Sequence, residues 1–377
     1  MLPEQCVTRF VITPVSETVS PSNSPPVHAA DARPRQNKVV DQRIATTRLP
    51  DGSRIAYAVV GHGPVLVHAP GWLTHLELSW AMPPERALYE SLAHGRTVVR
   101  YDKAGCGLSG TTARVPSMEL ELETLDAVVR AVGASRFDLY GASLGAAVAA
   151  AWTAEHPARV ARLVLYGGWV RGADIAEMAV REHVLGLVAE HWGLGSDVLA
   201  DIFAPDADAA TRTAFVRYQR EAATPQTARA MLALAYDIDI TDLLAHVQAP
   251  TFVLHRDHDR AAPLEQGRAL AAGIPGARLE VLPGRNHLPY IGDSDAIAQA
   301  VRRFLGLSPL RSVPGASVTR RQYEVAQLVA QGLTNRDIAG RLGISERSAE
   351  SHVERIRDRL GFRSRSQIAA WIVAGGR

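Results

Sequence analysis

Short runs of consecutive apolar residues recur through the first three hundred positions of the chain. The runs GPVLVHAPG, RTVVRYD, RFDLYG and VARLVLYGG are typical of strands that are buried on both faces of a parallel sheet. Between them, SMELELETLDAVVRAVG and ASLGAAVAAAWTAEHP place apolar or small residues at helical spacing. This alternation predicts an α/β fold with right-handed crossovers and a mainly parallel sheet.

Two segments depart from the alternation. In RIATTRLPDGSRIAYAVVG, two strand patterns are joined by Asp51-Gly52, a strong hairpin signal, so the sheet should begin with an antiparallel pair. From about residue 169 to 244 the pattern is helical without obvious strands. APTFVLHRDHD, PLEQGRALAAGI and ARLEVLPGRNH then resume the strand–helix rhythm. We interpret residues 169–244 as a helical cap over the edge of the sheet where such folds hold their ligands.

Composition divides the chain into four parts. Residues 1–41 are rich in Pro, Ser and Thr and lack periodic apolar positions, which predicts a disordered segment. Residues 42–306 carry the α/β pattern, and residues 307–317 form a linker rich in Pro, Gly and Ser. Residues 318–377 are helical in pattern to the end, which predicts a second, all-α domain of four helices.

Charge sets the last part of the chain apart. The 377 residues carry a net charge of only +2, with 47% hydrophobic and 21% charged residues, as in globular proteins. From Pro314 to Arg377, however, eleven arginines face six acidic residues, a net +5 that leaves −3 for the rest. A basic module on a slightly acidic body indicates an anionic partner.

The two cysteines and the hydropathy pattern exclude several classes of protein. Cys6 and Cys106 lie far apart and have no neighbours at metal-ligand spacing, so we expect neither a disulfide framework nor a metal site. The chain has no apolar run of about eighteen residues and no basic start followed by an apolar stretch. We therefore expect a cytoplasmic protein without a membrane partner.

The pentapeptide Gly141-Ala142-Ser143-Leu144-Gly145 carries the first chemical signal, a G-x-S-x-G pattern. It stands between an apolar strand and an Ala-rich helix, the setting in which such a serine becomes a nucleophile on a sharp turn. The flanking glycines fit this setting because bulky neighbours would clash at the turn. The alternative is a small serine that is required only by tight packing.

A nucleophilic serine needs a base, and the base needs a carboxylate to orient it. Two loops after the helical insertion supply candidates: LHRDHDRAAP offers Asp259, with Asp257 as the alternate, and LPGRNHLPY offers His287. Asp239 or Asp242, near the end of the insertion, are less favoured carboxylates. His287 and Asp259 could instead have structural roles, His287 as a capping residue and Asp259 as the cap of the following helix. No cofactor is needed for this chemistry.

Acyl transfer also needs donors for the developing oxyanion. Leu144, which follows the serine, is the candidate for one backbone N–H. Trp72, in the loop HAPGWLTH after the third strand, is the candidate for the second. Its indole ring is then free to line a pocket or to pack in the core.

HAPGWLTHLELSW, VVRYDKAGCGLSG, LYGASLGAA and LHRDHDRAAP with GRNHLPYIGD together resemble the α/β-hydrolase domains that are fused to signalling modules such as adenylate cyclases and transcription regulators. The resemblance covers about residues 42–305 and implies a catalytic triad in the chain order Ser143, Asp259, His287. It also points to Asp259, because the family usually has its acid in an Asp-Arg-x-x-Pro context. HAPG and KAGCG depart from the commoner family pattern, and the first leaves the oxyanion geometry open.

The C-terminal segment reads as four helices that begin after caps. Thr319, Thr334 and Ser345 are candidate N-caps, and Gly343 lies in the turn before the third helix, predicted over Glu346–Leu360. A fourth helix is predicted to begin near Ser364. A short helix, a glycine turn and a longer basic helix form a helix-turn-helix pattern. The alternative is a helical bundle whose charged face is simply solvated.

GLTNRDIAGRLGIS and SAESHVERIRDRLGFRSRSQ resemble LuxR-type DNA-binding domains over about 60 residues. The resemblance implies that the third helix enters the major groove of double-stranded DNA and that the fourth helix supports a homodimer. It assigns two groups of residues: near base edges or phosphates Ser348, Glu350, Ser351 and Glu354, and at phosphates Arg355, Arg357, Arg363 and Arg365. The two glutamates depart mildly from the family pattern because they repel phosphates.

Three functions fit these signals. The chain is either a transcription regulator whose hydrolase domain binds or hydrolyses a small ester- or lactone-like ligand, or chiefly a serine hydrolase for esters or lactones, or a regulator that uses the hydrolase fold as a non-catalytic platform for dimerisation. The retained serine, acid and histidine disfavour the third, and the specificity of the C-terminal pattern favours the first.

Overall fold

The computed structural model describes residues 41–308 and 318–373. The predicted disorder of residues 1–40 and nearly all of the predicted linker therefore lie outside the described residues. The strands are β1 Arg43–Arg48, β2 Arg54–Gly61, β3 Val65–Ala69, β4 Thr97–Tyr101, β5 Phe137–Ala142, β6 Val160–Tyr166, β7 Thr251–Arg256 and β8 Arg278–Leu282. The α-helices before the linker are α1 Leu76–Ala81, α2 Pro83–Ala93, α3 Met118–Ala131, α4 Leu144–Glu155, α5 Met178–Glu190, α6 Trp192–Phe203, α7 Ala209–Ala222, α8 Pro225–Asp237, α9 Leu264–Gly273 and α10 Ser294–Phe304. The remaining helices are α11 Arg320–Ala330, α12 Asn335–Leu342, α13 Glu346–Leu360 and α14 Arg365–Val373.

The eight strands form one sheet in the order β1-β2-β4-β3-β5-β6-β7-β8. β1 pairs antiparallel with β2, and β2 pairs antiparallel with β4, whereas the six strands from β3 to β8 run parallel. The hairpin turn lies where the sequence predicts it: Gly52 has a φ of 86°, and the Ser53 amide donates to the Asp51 carboxylate at 2.8 Å. The α/β fold class is confirmed.

Helix α4 lies against the centre of the sheet. Its residues from Leu144 to Thr153 are all buried, and each residue from Ala146 to Ala151 is 0% exposed. Small side chains let the helix backbone approach β5 and β6 closely. The Ala-rich pattern that the sequence places directly after Ser143 is therefore a buried helix, and the start of this helix is fixed by packing along its whole length.

Four α-helices, α5 to α8, fill the interval between β6 and β7 where the sequence predicts a helical insertion. An isolated antiparallel β-bridge pairs Arg171 with Asp239, near the two ends of this interval. The indole of Trp169 donates to the Ala235 carbonyl at 3.1 Å, and the side chain of Gln266 in α9 accepts from the Val170 amide at 3.0 Å. These bonds fasten the inserted helices to the sheet at their point of exit.

Helices α11 to α14 enclose a separate hydrophobic core that includes Val325, Ile338, Val353 and Ile368. The predicted caps are confirmed: Thr319 and Thr334 form capping boxes, and the Ser345 hydroxyl accepts from the Ser348 amide at 3.1 Å. Gly343 ends α12 in the left-handed conformation, with φ 64°. This conformation is favourable for glycine and sets the turn into α13.

Within residues 41–308 and 318–373, none of the helices has the length and apolar character that crossing a membrane requires.

Candidate active site and helix-turn-helix

Ser143 lies in the turn between β5 and α4. Its φ is 57° and its ψ is −129°, and among the described residues it is the one non-glycine with positive φ. Such a conformation costs about 1–3 kcal/mol and persists only where the surroundings hold it. Here the Ser143 amide donates to the Tyr166 carbonyl at 2.8 Å, and the Ser143 carbonyl accepts from the Ala146 amide at 2.8 Å. The result is the strand–turn–helix geometry of a nucleophile elbow.

The two glycines of the pentapeptide are required by close packing. A Cβ on Gly141 would lie 2.4 Å from the Gly145 carbonyl oxygen, and a Cβ on Gly145 would lie 2.1 Å from the Ala69 carbonyl oxygen. Both distances are far inside van der Waals contact, so any larger residue would force the backbone apart. The glycines in the sequence pattern thus mark where β3, β5 and α4 meet beneath the serine.

His287 joins the serine to a carboxylate. Its Nε2 lies 2.8 Å from the Ser143 Oγ, and its Nδ1 lies 2.8 Å from the Asp259 Oδ2. His287 is 4% exposed, so the three side chains form a nearly buried hydrogen-bonded chain. With Nδ1–H donating to the carboxylate, Nε2 is left as the acceptor for the serine hydroxyl, which is the arrangement that general-base catalysis needs.

Asp259 is held by the backbone as well as by His287. Its Oδ1 accepts from the amides of Ala261 and Ala262 at 2.9 and 3.1 Å. Burial by itself would raise the pKa of Asp259, but the charge and hydrogen bond of His287, assisted by the Ala261 amide, hold that pKa below its ordinary value. The carboxylate therefore stays ionised beside the imidazole.

The other candidate carboxylates have different partners. The Asp257 Oδ1 accepts from the Gly284 amide at 2.9 Å and pairs with His258. Asp239 accepts from the Thr241 amide and forms an ion pair with Arg171. The main-chain carbonyl of Asp242 accepts a hydrogen bond from the His246 ring. The structure therefore brings Asp259, and none of these three alternates, into contact with His287.

The predicted oxyanion donors flank the serine. Leu144 is the first residue of α4, so its amide has no acceptor within the helix. The loop that carries Trp72 runs beside the serine, since a Cβ on the preceding Gly71 would lie 3.6 Å from the Ser143 Cβ and 3.9 Å from its Oγ. Their role as donors stays a prediction. The Trp72 ring is 8% exposed and lies edge-on to Trp192 and Phe203, so it both lines the pocket and packs.

A pocket with an empty volume of ≈ 770 Å³, part of it open to solvent, lies beside Ser143 and His287. Phe203 of α6 and Phe215 and Tyr218 of α7 line it, so the inserted helices form part of its wall. The Phe203 carbonyl accepts from the His287 amide at 2.8 Å, which ties the end of α6 to the loop that carries the imidazole.

Several polar residues that line the pocket were not found by sequence reasoning, among them His68 of β3, Glu85 of α2 and Arg100 of β4. All three are buried, at 5%, 6% and 3% exposure. The signal for the first and third was present, because an imidazole and a guanidinium interrupt the apolar strand runs VLVHA and TVVRY. Glu85 gives no such signal, since acidic residues are common in the first turn of a helix.

The residues predicted to contact DNA fall into exposed and engaged groups. Glu350, Glu354 and Arg363 are exposed, and Ser351 is half-buried. The Ser348 hydroxyl lies 2.8 Å from the Ser345 hydroxyl, within the cap of α13. Ser348, Glu350, Ser351 and Glu354 lie on α13, and Arg363 follows its end.

Three of the predicted phosphate-binding arginines are partly enclosed. Arg355 pairs with Asp293, the N-cap residue of α10. The Arg365 guanidinium donates to the Asn335 side chain at 2.7 Å and to the Leu333 carbonyl, which fixes the start of α14 to the start of α12. Arg357 is half-buried, and its Nε is buried without a hydrogen-bond partner. Arg363 is the exposed member of the predicted set.

Both the α/β region and the C-terminal helical region match known protein families. Residues 86–295 match the hydrolase family described as "Serine aminopeptidase, S33", and residues 316–372 match the family described as "Bacterial regulatory proteins, luxR family". A pyrrolizixenacetamide deacetylase of Xenorhabdus hominickii is 29% identical over 265 residues, which cover 67% of this chain and 95% of the relative. A pimeloyl-[acyl-carrier protein] methyl ester esterase of Xanthomonas campestris pv. campestris is 27% identical over 261 residues, covering 67% and 98%.

Among solved structures, a hydrolase from Pseudomonas aeruginosa superposes with a TM-score of 0.61 at 25% identity, covering 70% of this chain and 98% of that one. The relatives and this solved structure align with about two thirds of the chain, and the LuxR match covers residues 316–372. The chain therefore belongs to the α/β-hydrolase family and carries a LuxR-type helix-turn-helix domain at its C-terminal end.

Proposed function

We propose that the protein is a DNA-binding transcription regulator whose hydrolase domain binds and hydrolyses a small ester- or lactone-like ligand. The observation that carries the proposal is the hydrogen-bonded chain of Ser143, His287 and Asp259 beside an aromatic-walled pocket, in the same chain as a LuxR-type domain. The names of the relatives, an esterase and a deacetylase, support acyl transfer at this site.

The geometry supports a two-step mechanism. As the Ser143 Oγ attacks the carbonyl carbon, the His287 Nε2 at 2.8 Å takes its proton, and Asp259 stabilises the imidazolium that forms. The amides of Leu144 and Trp72 receive the negative charge that develops on the carbonyl oxygen. The imidazolium returns the proton to the leaving alcohol, and water activated by the same imidazole then releases the acyl group and regenerates the serine.

Ester hydrolysis by the full-length protein tests the catalytic part. We expect the wild type to cleave a short-chain nitrophenyl ester and Ser143→Ala to lose this activity by a factor of about 10³ or more. Equal, slow rates for both proteins would refute catalysis and leave the hydrolase fold as a binding or dimerisation platform. Activity without any DNA binding would instead favour a plain serine hydrolase.

DNA recognition is assigned to the exposed surface of α13. Glu350 and Glu354 are placed to accept from cytosine N4 in the major groove, and Arg363 to hold a phosphate. A gel shift on the upstream region of its own gene, repeated over a salt series, tests this. Loss of one phosphate contact in Arg363→Ala should weaken binding to all sequences and reduce the salt slope by about 1. Absence of any salt-sensitive binding that prefers particular sequences, there or genome-wide, would refute the regulator.

The four-part division at residues 41, 306 and 317, the cap formed by the inserted helices, and a homodimer through α14 belong to the same proposal. The dimer rests on the resemblance of the C-terminal domain to LuxR-type domains. Light scattering after size exclusion measures the mass directly. A monomer at micromolar concentration, with and without DNA, would refute the dimer.

A further inference from the structure

The inner part of the pocket contains hydrogen-bonding groups that the triad does not use. The Glu85 carboxyl group is 6% exposed and lines the pocket, and burial raises its pKa to about 7. Its Oε1 accepts from the Tyr89 hydroxyl at 3.4 Å and the Tyr290 hydroxyl also contacts the carboxyl group, while Oε2 is buried without a hydrogen bond of normal length. A buried carboxylate oxygen without a partner is costly, so its retention in a ligand pocket indicates that a ligand supplies the donor.

A second acceptor lies close by. The His68 ring stacks on Tyr140 and tilts against Tyr89, with ring centroids 4.9 and 5.5 Å apart. Its Nδ1 faces the Tyr140 carbonyl oxygen at 3.2 Å, and since that oxygen can only accept, Nδ1 carries the proton and Nε2 is an acceptor. Burial, together with the charge of Arg100, lowers the pKa of His68 to about 3, so the ring stays neutral.

Arg100 determines the charge that this region tolerates. Its guanidinium lies over the Tyr89 ring at 4.2 Å and donates to the Ser79 hydroxyl at 2.8 Å, while its Nε–H is buried without a hydrogen-bond partner. This positive charge offsets that of an ionised Glu85 in the same pocket, so the region favours an uncharged ligand. The region therefore offers a free acceptor on Glu85 and a free donor on Arg100, which match the two capacities of a single neutral hydroxyl group.

The side chains around these groups are flat and aromatic. Tyr89, Tyr218 and Tyr290 line the same pocket, and each is buried. The Tyr218 hydroxyl is already used, because it donates to the Leu73 carbonyl at 3.0 Å. Aromatic walls with a hydrogen-bonding end favour a ring that carries a polar substituent.

We propose that this region is a subsite for a hydroxylated aromatic ring, in which the Glu85 Oε2 accepts from the ring hydroxyl and Glu85 selects the substrate. The ligand is then an ester or lactone with a phenolic ring, a conclusion that deepens the proposed function and rests on it. Glu85 is a specificity residue and takes no part in the proton transfers at Ser143.

A matched pair of ligands tests the subsite by binding, independently of turnover. The probes are methyl 3-phenylpropanoate and methyl 3-(4-hydroxyphenyl)propanoate, with their homologues one carbon shorter and longer, titrated calorimetrically against full-length Ser143→Ala. The titration is run at about pH 8.5, above the pKa of Glu85, so that the ring hydroxyl meets a charged carboxylate. A hydrogen bond to a charged group corresponds to about 10- to 100-fold in affinity. For at least one of the three chain lengths, we expect the hydroxylated ester to bind more tightly than its unsubstituted partner by this factor.

Variants at Glu85 assign the preference to this side chain. In the Ser143→Ala background, Glu85→Leu should remove the preference, and the nearly isosteric Glu85→Gln, which replaces the charged acceptor by a neutral carbonyl, should lower it several-fold. Glu90→Leu is the matched control on the same helix, because Glu90 pairs with Arg86 at the surface. It should leave the preference unchanged. Thermal denaturation of each variant confirms that the fold is intact, and Glu85→Gln carries the test where Glu85→Leu fails to fold.

The outcomes separate the two proposals. Equal affinity for both members of every pair, no binding of either, or a preference that persists in Glu85→Leu overturns the subsite. A Glu85-dependent preference in a protein whose wild type hydrolyses none of the esters supports the subsite and refutes the catalytic part of the proposed function. Hydrolysis that depends on Ser143 but shows no Glu85-dependent preference does the reverse.

Discussion

Replacing Asp259 by asparagine isolates the role of the carboxylate in the triad. The side-chain oxygen of asparagine can still accept from the Ala261 and Ala262 amides, which lie 2.9 and 3.1 Å from the present Oδ1. The amide nitrogen then faces His287 Nδ1 in place of Oδ2. Since an NH₂ group donates, Nδ1 must become the acceptor and the proton moves to Nε2, where it points at the serine oxygen.

This tautomer cannot take the serine proton. The expected loss in kcat/KM is about 10³- to 10⁴-fold, which corresponds to about 4–5.5 kcal/mol of transition-state stabilisation. Binding of unreacted ester should change little, because Asp259 is not among the residues that line the pocket. The assay is hydrolysis of a short-chain nitrophenyl ester across the pH range, with the melting temperature of each protein as a check on folding.

Asp257→Asn is the matched control. It lies two residues away in the same loop, and its carboxylate accepts from the Gly284 amide at 2.9 Å, a bond that an asparagine oxygen can also accept. We expect its kcat/KM to stay within a few-fold of the wild type. A loss at Asp257→Asn as large as at Asp259→Asn, or full activity in Asp259→Asn, would refute the assignment of the acid.

Three further predictions concern stability and DNA binding. In Gly145→Ala the new Cβ would lie 2.1 Å from a carbonyl oxygen, so chemical denaturation should show a loss of stability of about 3 kcal/mol or more. Gly340 lies in helix α12, where a new Cβ would meet no atom within 4 Å, so Gly340→Ala should stabilise the fold by up to about 1 kcal/mol. Similar effects of the two substitutions would contradict the packing argument. Because Asp293 pairs with Arg355, Asp293→Asn should release that guanidinium and tighten binding to a 30-base-pair duplex about 2- to 10-fold by fluorescence anisotropy. Unchanged or weaker binding would show that Arg355 does not contact phosphate. Burial and the charge of Arg321 lower the pKa of His352 to about 4, so the unfolded state binds a proton that the folded state excludes below pH 6.5; at pH 5 this costs about 2 kcal/mol. His352→Leu should flatten the loss of hydrogen-exchange protection of α13 between pH 6.5 and 4, corrected for intrinsic exchange, and an equal loss in both proteins would exclude His352 as its cause.

Local patterns were sufficient where a residue is determined by its immediate neighbours along the chain. The Asp51-Gly52 turn requires a positive φ at the glycine, and the N-caps Thr319, Thr334 and Ser345 each satisfy an amide three residues ahead. Such interactions are short in sequence, so composition and spacing specify them. The same holds for the G-x-S-x-G turn, whose glycines the close contacts beneath Ser143 explain.

Tertiary structure decided what depends on distant segments meeting. Asp257 and Asp259 lie two residues apart in one loop, where the resemblance to the hydrolase family favours Asp259. Their contacts are a tertiary property, because the Asp259 Oδ2 lies 2.8 Å from the His287 Nδ1 and Asp257 bonds the Gly284 amide. Arg355 is one of several arginines on a basic helix, and its pairing with Asp293 follows from contact with a helix sixty residues earlier. Glu85 gives no sequence signal at all, because a glutamate in the first turn of a helix is ordinary until the fold buries it in a pocket. The sequence by itself determined the fold class, the turn that carries Ser143 and the helix-turn-helix, since these depend on local spacing. The partner of the base and the chemistry of the pocket required the tertiary structure, because burial and long-range contact are properties of the packed chain.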